Sequence, residues 1–384
     1  MKGISSVKQS MDNQHPRHRL LSRRLMLGSI ATSAIGISGC PLSMPQTLPG
    51  DASEDEQTVS VGSDDRELAT LVRDTLDYEK NSRGLSVSIN GAWQIFHGIL
   101  AYGSEFLIDT PSGLQSAVEY FKAGGVCDGF RPRLGDRFDD GEYGFKVDMQ
   151  ASTKVGQGHR DQWLAVVAQA GQQRNDQWKI DETTLTIENW LRQAEFDVPL
   201  NYEAEFSWTL IPLSFYRPSD YRWTARDGET YSTELLVESE VLRDLAASVC
   251  GGTHRLIGIA YALRNRVTEG SAVTGIWSQA KDHLAAAIEM ARVNQNPDGT
   301  YSTAYLHRTG WCSDLGESLG TTGHVLETIA VAGDDETLRA DWVRRSVVKL
   351  CEILELCRGV DLECGVLYHA LHGLLEYQRR IASA

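Results

Sequence analysis

The sequence has no close thiol pair of the Cys-x-x-Cys kind, no apolar run beyond residue 39 long enough to cross a bilayer, and no excess of positive charge. The first absence removes the usual fixed-geometry clamp for a structural metal. The second leaves nothing after the N-terminus that can span a membrane. The third argues against nucleic acid as a partner, because 37 Lys and Arg face 52 Asp and Glu and an acidic surface repels phosphate. Signatures of several enzyme classes are also missing: there is no Gly-x-Ser-x-Gly, no phosphate-binding Gly/Lys loop and no His-Glu-x-x-His. Gly156-Gln157-Gly158 follows no clear strand and lacks the later glycine, which argues against dinucleotide binding.

What is present begins at the N-terminus. Arg17, Arg19, Arg23 and Arg24 precede an apolar run from Leu25 to Ile37, the pattern of an export signal. Ile37-Ser38-Gly39-Cys40 resembles the lipobox of bacterial lipoproteins, and Ser22-Arg23-Arg24-Leu25-Met26-Leu27 resembles a twin-arginine signal. The expectation is a signal peptide over 1–39, lipidation at Cys40, a disordered acidic tether over 40–64 and a folded domain over 65–384. That implies an extracytoplasmic lipoprotein of the bacterial cell envelope, with the membrane as partner through the anchor at Cys40. Residues 1–39 carry six Lys or Arg and one Asp, so cleavage leaves 31 basic against 51 acidic residues, a net charge near −20. The six remaining cysteines are too sparse for a disulfide framework and read as small core residues.

From residue 65 two kinds of helical segment alternate. Amphipathic segments fall at about 65–80, 112–123, 182–195, 234–248, 274–294 and 336–357. Nearly apolar ones, beginning with small residues and often carrying an early His or Trp, fall at about 89–103, 158–171, 203–215, 252–265, 319–333 and 363–378. The pattern predicts an all-α (α/α)6 toroid or barrel, six buried inner helices inside six outer ones. Long junctions at about 124–157 and 295–318 place a mouth where the inner helices begin.

Gln295-Asn296-Pro297-Asp298-Gly299-Thr300-Tyr301 resembles the Gln-x-x-x-Gly-x-Trp repeat of squalene cyclases, with Tyr301 in place of Trp, and Gln173 to Trp178 is a weaker echo without the glycine. With the alternating helices, the chain resembles the terpenoid cyclase and protein prenyltransferase α/α-toroid superfamily. The Asp-x-Asp-Asp motif with which the cyclases protonate an alkene is missing, and Asp361 lies one residue too far from Cys364 for the prenyltransferase Asp-x-Cys pair. Lanthionine cyclases, a third related type, hold zinc with two cysteines and a histidine. That likeness implies a possible zinc site at Cys312, Cys364 and one of His254, His324 or His369.

The inner-helix reading puts His159, His254 and His324 in first turns, where the helix dipole favours the neutral imidazole that can act as a base or bind metal. Each could equally cap backbone or fill space. Trp93, Trp163, Trp208 and Trp311, with the deeper His97, are candidate substrate-binding residues at the same mouth. Sugar-processing α/α barrels pair such aromatic platforms with two carboxylates. Asp161, Glu205, Asp298, Asp314 and Glu317 are available here, with Glu205 and Asp314 carried forward beside the histidines as catalytic candidates. The resulting expectation is an enzyme working on a glycan or small polar substrate at the inner-helix mouth. The alternative is a non-catalytic protein binding a ligand or another protein at the cell surface.

Overall fold

The structure is a computed structural model and describes residues 61–150, 155–201 and 204–383. The expected signal peptide over 1–39, the expected lipidation at Cys40 and the expected tether up to residue 60 lie outside the described residues. Among the described residues no helix is long and apolar enough to cross a membrane.

The chain opens with α1 (Val61–Ser82), β1 (Leu85–Ser86) and α2 (Ala92–Tyr102). It continues with β2 (Leu107–Thr110), β3 (Gly113–Ser116), α3 (Ala117–Lys122), β4 (Arg133–Arg137), β5 (Tyr143–Lys146) and α4 (Gln162–Gln169). Then come β6 (Gln177–Ile180), β7 (Thr183–Thr186), α5 (Ile187–Asp197), α6 (Ser207–Tyr216), β8 (Arg222–Thr224), β9 (Thr230–Ser232) and α7 (Thr233–Val241). The C-terminal third is helical: α8 (Thr253–Thr268), α9 (Ile276–Asn294), α10 (Leu315–Ala332), α11 (Asp335–Arg339), α12 (Asp341–Leu356) and α13 (Cys364–Ser383).

The all-α expectation is overturned. Of the described residues 57% are helix and 12% strand, and they form four small sheets, a mixed α and β content. Three of the expected outer helices, at 112–123, 182–195 and 234–248, do form as α3, α5 and α7, but each is entered through a β-hairpin that was not expected. In β2–β3, β6–β7 and β8–β9 the second strand ends on Ser116, Thr186 or Ser232. Each of these hydroxyls accepts the third amide of the next helix, from Glu119, Asn189 or Leu235. A strand that ends on a Ser or Thr cap turns into a helix without a linker. The 124–157 junction likewise contains the antiparallel pair β4–β5 rather than only loop.

The core positions the site. Helices α2, α4, α6, α8, α10 and α13 each pack on the next, and α13 packs back on α2, closing a ring. Their apolar sides supply Ile95, Leu164, Leu210, Leu256, Leu326 and Leu371, all fully buried. Close approach is required at Gly323, where an added Cβ would lie 2.7 Å from the Ala370 backbone of α13. The Gln295–Tyr301 segment clamps the outside of this assembly. Gln295 donates to the Trp342 carbonyl (2.6 Å) and to Ser346 (2.8 Å), Ser346 donates to the Gly299 carbonyl (2.7 Å), and Tyr301 is fully buried.

Candidate metal centre

The centre of the helical ring is lined with imidazoles rather than aliphatic side chains. His97 comes from α2, His254 from α8, His324 from α10, His369 and His372 from α13, and His159 from the turn before α4. His324 and His369 lie 4.1 Å apart between ring centroids, His97 and His369 5.2 Å, His254 and His369 5.5 Å, and His254 and His324 5.6 Å. His159 stands 5.9 Å from His254.

Most of these imidazoles are pinned through Nδ1. His97 Nδ1 donates to the Trp93 carbonyl at 2.5 Å and His324 Nδ1 to the Gly320 carbonyl at 2.7 Å, each one helical turn back. Glu327 takes His369 Nδ1 on one oxygen (2.8 Å) and His372 Nδ1 on the other (2.6 Å). Because a carbonyl can only accept, the proton on His97 and His324 sits on Nδ1 and the Nε2 lone pair is left free. This is the tautomer in which an outer-shell acceptor holds a metal-binding histidine.

Burial decides the charge. It presses His97 down to about 4 and His324 to about 3, and holds His254 well below the ordinary imidazole value, with neighbouring histidines adding to the effect. His159 is lowered by the same desolvation, opposed by Glu205. Burial also opposes charge on Glu327 and His372 but is outweighed, on Glu327 by His369 and then His372 and on His372 by Glu327, so Glu327 sits well below the carboxylate range and His372 above the imidazole one.

Beside His159, which only faces Glu205, His254 is the other exception to the pinning. It is 7% exposed, and neither Nδ1 nor Nε2 has a hydrogen-bond partner. A neutral imidazole carries one N–H and one lone pair, and leaving both unmet in a buried site costs about 1–3 kcal/mol each. Two donor groups converge on it, each with its ligand atoms within 4.8 Å of one another: His159, Glu205 and His254, and Cys250, His254 and His324. In the first group Glu205 Oε1 lies 3.2 Å from His159 Nδ1 and 3.8 Å from His254 Nδ1, and it accepts the Trp208 indole N–H at 2.9 Å.

Compared with family models, curated proteins and solved structures, the chain matches none. Its site is therefore read from geometry alone.

Of the residues singled out in the sequence, the structure brings His159, His254, His324 and Glu205 together. Trp208 lies 4.9 Å from His254, and His97 and His369 sit beside the group. Trp93 is half-buried at the mouth, 4.4 Å from His97, and donates its indole N–H to Glu363 at 3.1 Å. The others lie apart. Trp163 is fully buried against Phe96, and Trp311 is 71% exposed. Asp314 caps α10 by accepting the Glu317 amide, and Cys312 donates to the Asp314 carbonyl. Among the described residues neither Cys312 nor Cys364 belongs to a converging donor group, and the thiol that does is Cys250. Asp161 accepts from Thr209 and Asn201, and Asp298 accepts from Thr300, both structural bonds.

Cys250, Glu327, Tyr305 and Glu363 were not expected at the site. Glu327 had a readable signal: it is the lone charge in the otherwise uncharged helical stretch from Ser318 to Ala332. Cys250, four residues before His254, also had one, obscured by the two glycines between them.

Proposed function

We propose that this is an exported, lipid-anchored metalloenzyme that holds zinc at His159, Glu205 and His254 and hydrolyses a small polar substrate or glycan at the mouth beside Trp93. The observation that carries this reading is His254, buried with two unpartnered ring nitrogens between His159 and Glu205. Bonds of 2.0–2.1 Å to a tetrahedral zinc imply ligand atoms about 3.3 Å apart, and the separations from Glu205 to the two histidines, 3.2 and 3.8 Å, bracket that value. Two histidines and one glutamate form a set that leaves the fourth position open. Zinc there would lower the pKa of a bound water toward neutrality and supply a nucleophile.

The chain's own residues provide the rest. Trp208 holds Glu205 by its indole N–H, and His159, whose side chain is 21% exposed, is the member of the set that reaches solvent. The Trp93 ring lies next to Gly158, so an aromatic face paired with the Glu363 carboxylate borders the entrance. Such a pairing suits a polar ligand with one apolar face. The N-terminal signal and Cys40 support export and anchoring, and the acidic composition directs the choice of partner away from nucleic acid.

The test is zinc content and hydrolysis of chromogenic esters, amides and glycosides. Purified protein is expected to retain zinc, to lose hydrolysis on chelation and to regain it with zinc, while Glu205→Gln loses at least about a hundredfold of the activity. A protein that retains no zinc, or a Glu205→Gln variant with full activity, refutes the reading. A non-catalytic binding role is favoured by one observation: His97, His254, His324 and His369, each less than a tenth exposed, fill the centre with side chains.

A further inference from the structure

The second donor group has an independent set of observations behind it. Cys250 is a non-glycine residue with left-handed backbone, φ 51° and ψ 36°, and Gly251 and Gly252 follow it at φ 63° and 80°. Three consecutive left-handed residues bring the chain sharply round into α8, delivering Cys250 and His254 to the same place. Tyr305, from the loop before α10, is left-handed as well (φ 54°). Its ring stands 5.9 Å from His324, and its side chain packs against Gly251, beside Cys250. Strain of roughly 1–3 kcal/mol per such residue persists only where the surroundings enforce it, and it gathers at ligand clamps. His307 Nε2 bonds the Gly251 carbonyl at 2.8 Å and fixes the turn. His324 presents a free Nε2, and His254 has two ring nitrogens without partners.

We propose that the cluster takes a second metal ion at Cys250, His254 and His324, with His254 shared between the two sites. The donors are a thiolate and two imidazoles, a set that suits zinc or a similar borderline-soft divalent ion. Binding releases the thiol proton of Cys250 to solvent, and a shared His254 also releases its remaining ring proton so that both nitrogens donate. Cys250 thiolate, Glu205 and Glu327 supply negative charge around the two ions. The Cys250 set depends on the zinc reading above only for its partner ion.

Cobalt(II) is the probe. Metal-free full-length protein titrated with cobalt should take up two equivalents and develop a thiolate-to-cobalt charge-transfer band in the near ultraviolet. Cys250→Gly, whose left-handed backbone glycine adopts freely, should keep the fold by circular dichroism, lose the band and bind one equivalent. Glu205→Gln should lose one equivalent and keep the band. In wild-type protein, zinc should slow alkylation of Cys250 roughly tenfold or more, because a metal-bound thiolate is withdrawn from reaction. No metal uptake, a missing thiolate band or a band that survives in Cys250→Gly overturns the proposal, whereas a single equivalent whose thiolate band disappears in Cys250→Gly upholds this site and removes the one at Glu205. Two equivalents that fall to one in Cys250→Gly but not in Glu205→Gln uphold this site and remove the one at Glu205.

Discussion

Glu327 shows how one residue organises the others. It is buried, charged and bonded to two imidazoles, so its two oxygens fix the orientation of both His369 and His372. In Glu327→Gln one carboxylate oxygen becomes an amide N–H that faces a ring N–H. Breaking a buried pair on one side costs about 3–5 kcal/mol. The expected outcome is a lower urea midpoint with an unchanged slope, and an unchanged midpoint would show that the pairing contributes nothing. At this scale the sequence was partly readable. An imidazole in the first turn of an apolar helix has few places to go, so His254 could be placed, and Glu205 and Trp208 came with the next helix entrance. His324 reaches the cluster from the middle of α10, which begins at Leu315, and not from the first turn expected for it. Cys250 could not be placed, because its position depends on three left-handed residues, and only two of them are glycines.

Among the elements, the recurring unit is hairpin, hydroxyl cap, helix. It occurs at Ser116, Thr186 and Ser232. At Thr186 the bonding is reciprocal, with Asn189 reaching back to the Thr186 amide at 2.9 Å. Thr186→Ala is expected to cost about 1 kcal/mol, measured by chemical denaturation. A further Asn189→Ala change should add less than it does alone, because the two side chains form one box; full additivity would contradict that. The hairpins escaped sequence reading for a physical reason. Each strand has three or four residues, so alternation such as Trp178 and Ile180 in, Gln177 and Lys179 out lasts too briefly to compete with the helical period that follows. The long apolar runs had no such competitor, and Leu256 to Ala262 reads as a buried helix from its composition alone.

The molecule as a whole has placed several uncharged imidazoles at its centre, and its stability should follow their protonation. His97 and His324 have folded values of about 4 and 3, against 6.5 when exposed. Below pH 6.5 the unfolded chain takes up protons that the folded one refuses, so this stability is complete above 6.5 and is lost as pH falls toward the folded values. For His97 alone the loss across that interval is roughly 3 kcal/mol. His372, raised by Glu327, acts in the opposite sense but is outnumbered. Metal-free protein should therefore melt about 5 °C or more lower at pH 5 than at pH 7, and an equal or higher Tm at pH 5 refutes the assignment of neutral histidines. Whole-molecule features were the most legible part of the sequence in one respect, the acidic balance. They were the least legible in another, because strand content is spread through segments each too short to register.

The closing seam between α2 and α13 has a consequence for synthesis. The bond from Trp93 to Glu363 joins residues 270 positions apart, and His97 meets His369 across the same seam. A ribosome emits the first of these long before the last, so the central cluster cannot form until α13 has emerged, however much of the helical wall has already formed. Completion of the centre becomes a single event in which α13 swings into place and the imidazoles meet. A chain truncated before α13 would keep most of the helical wall yet have no centre.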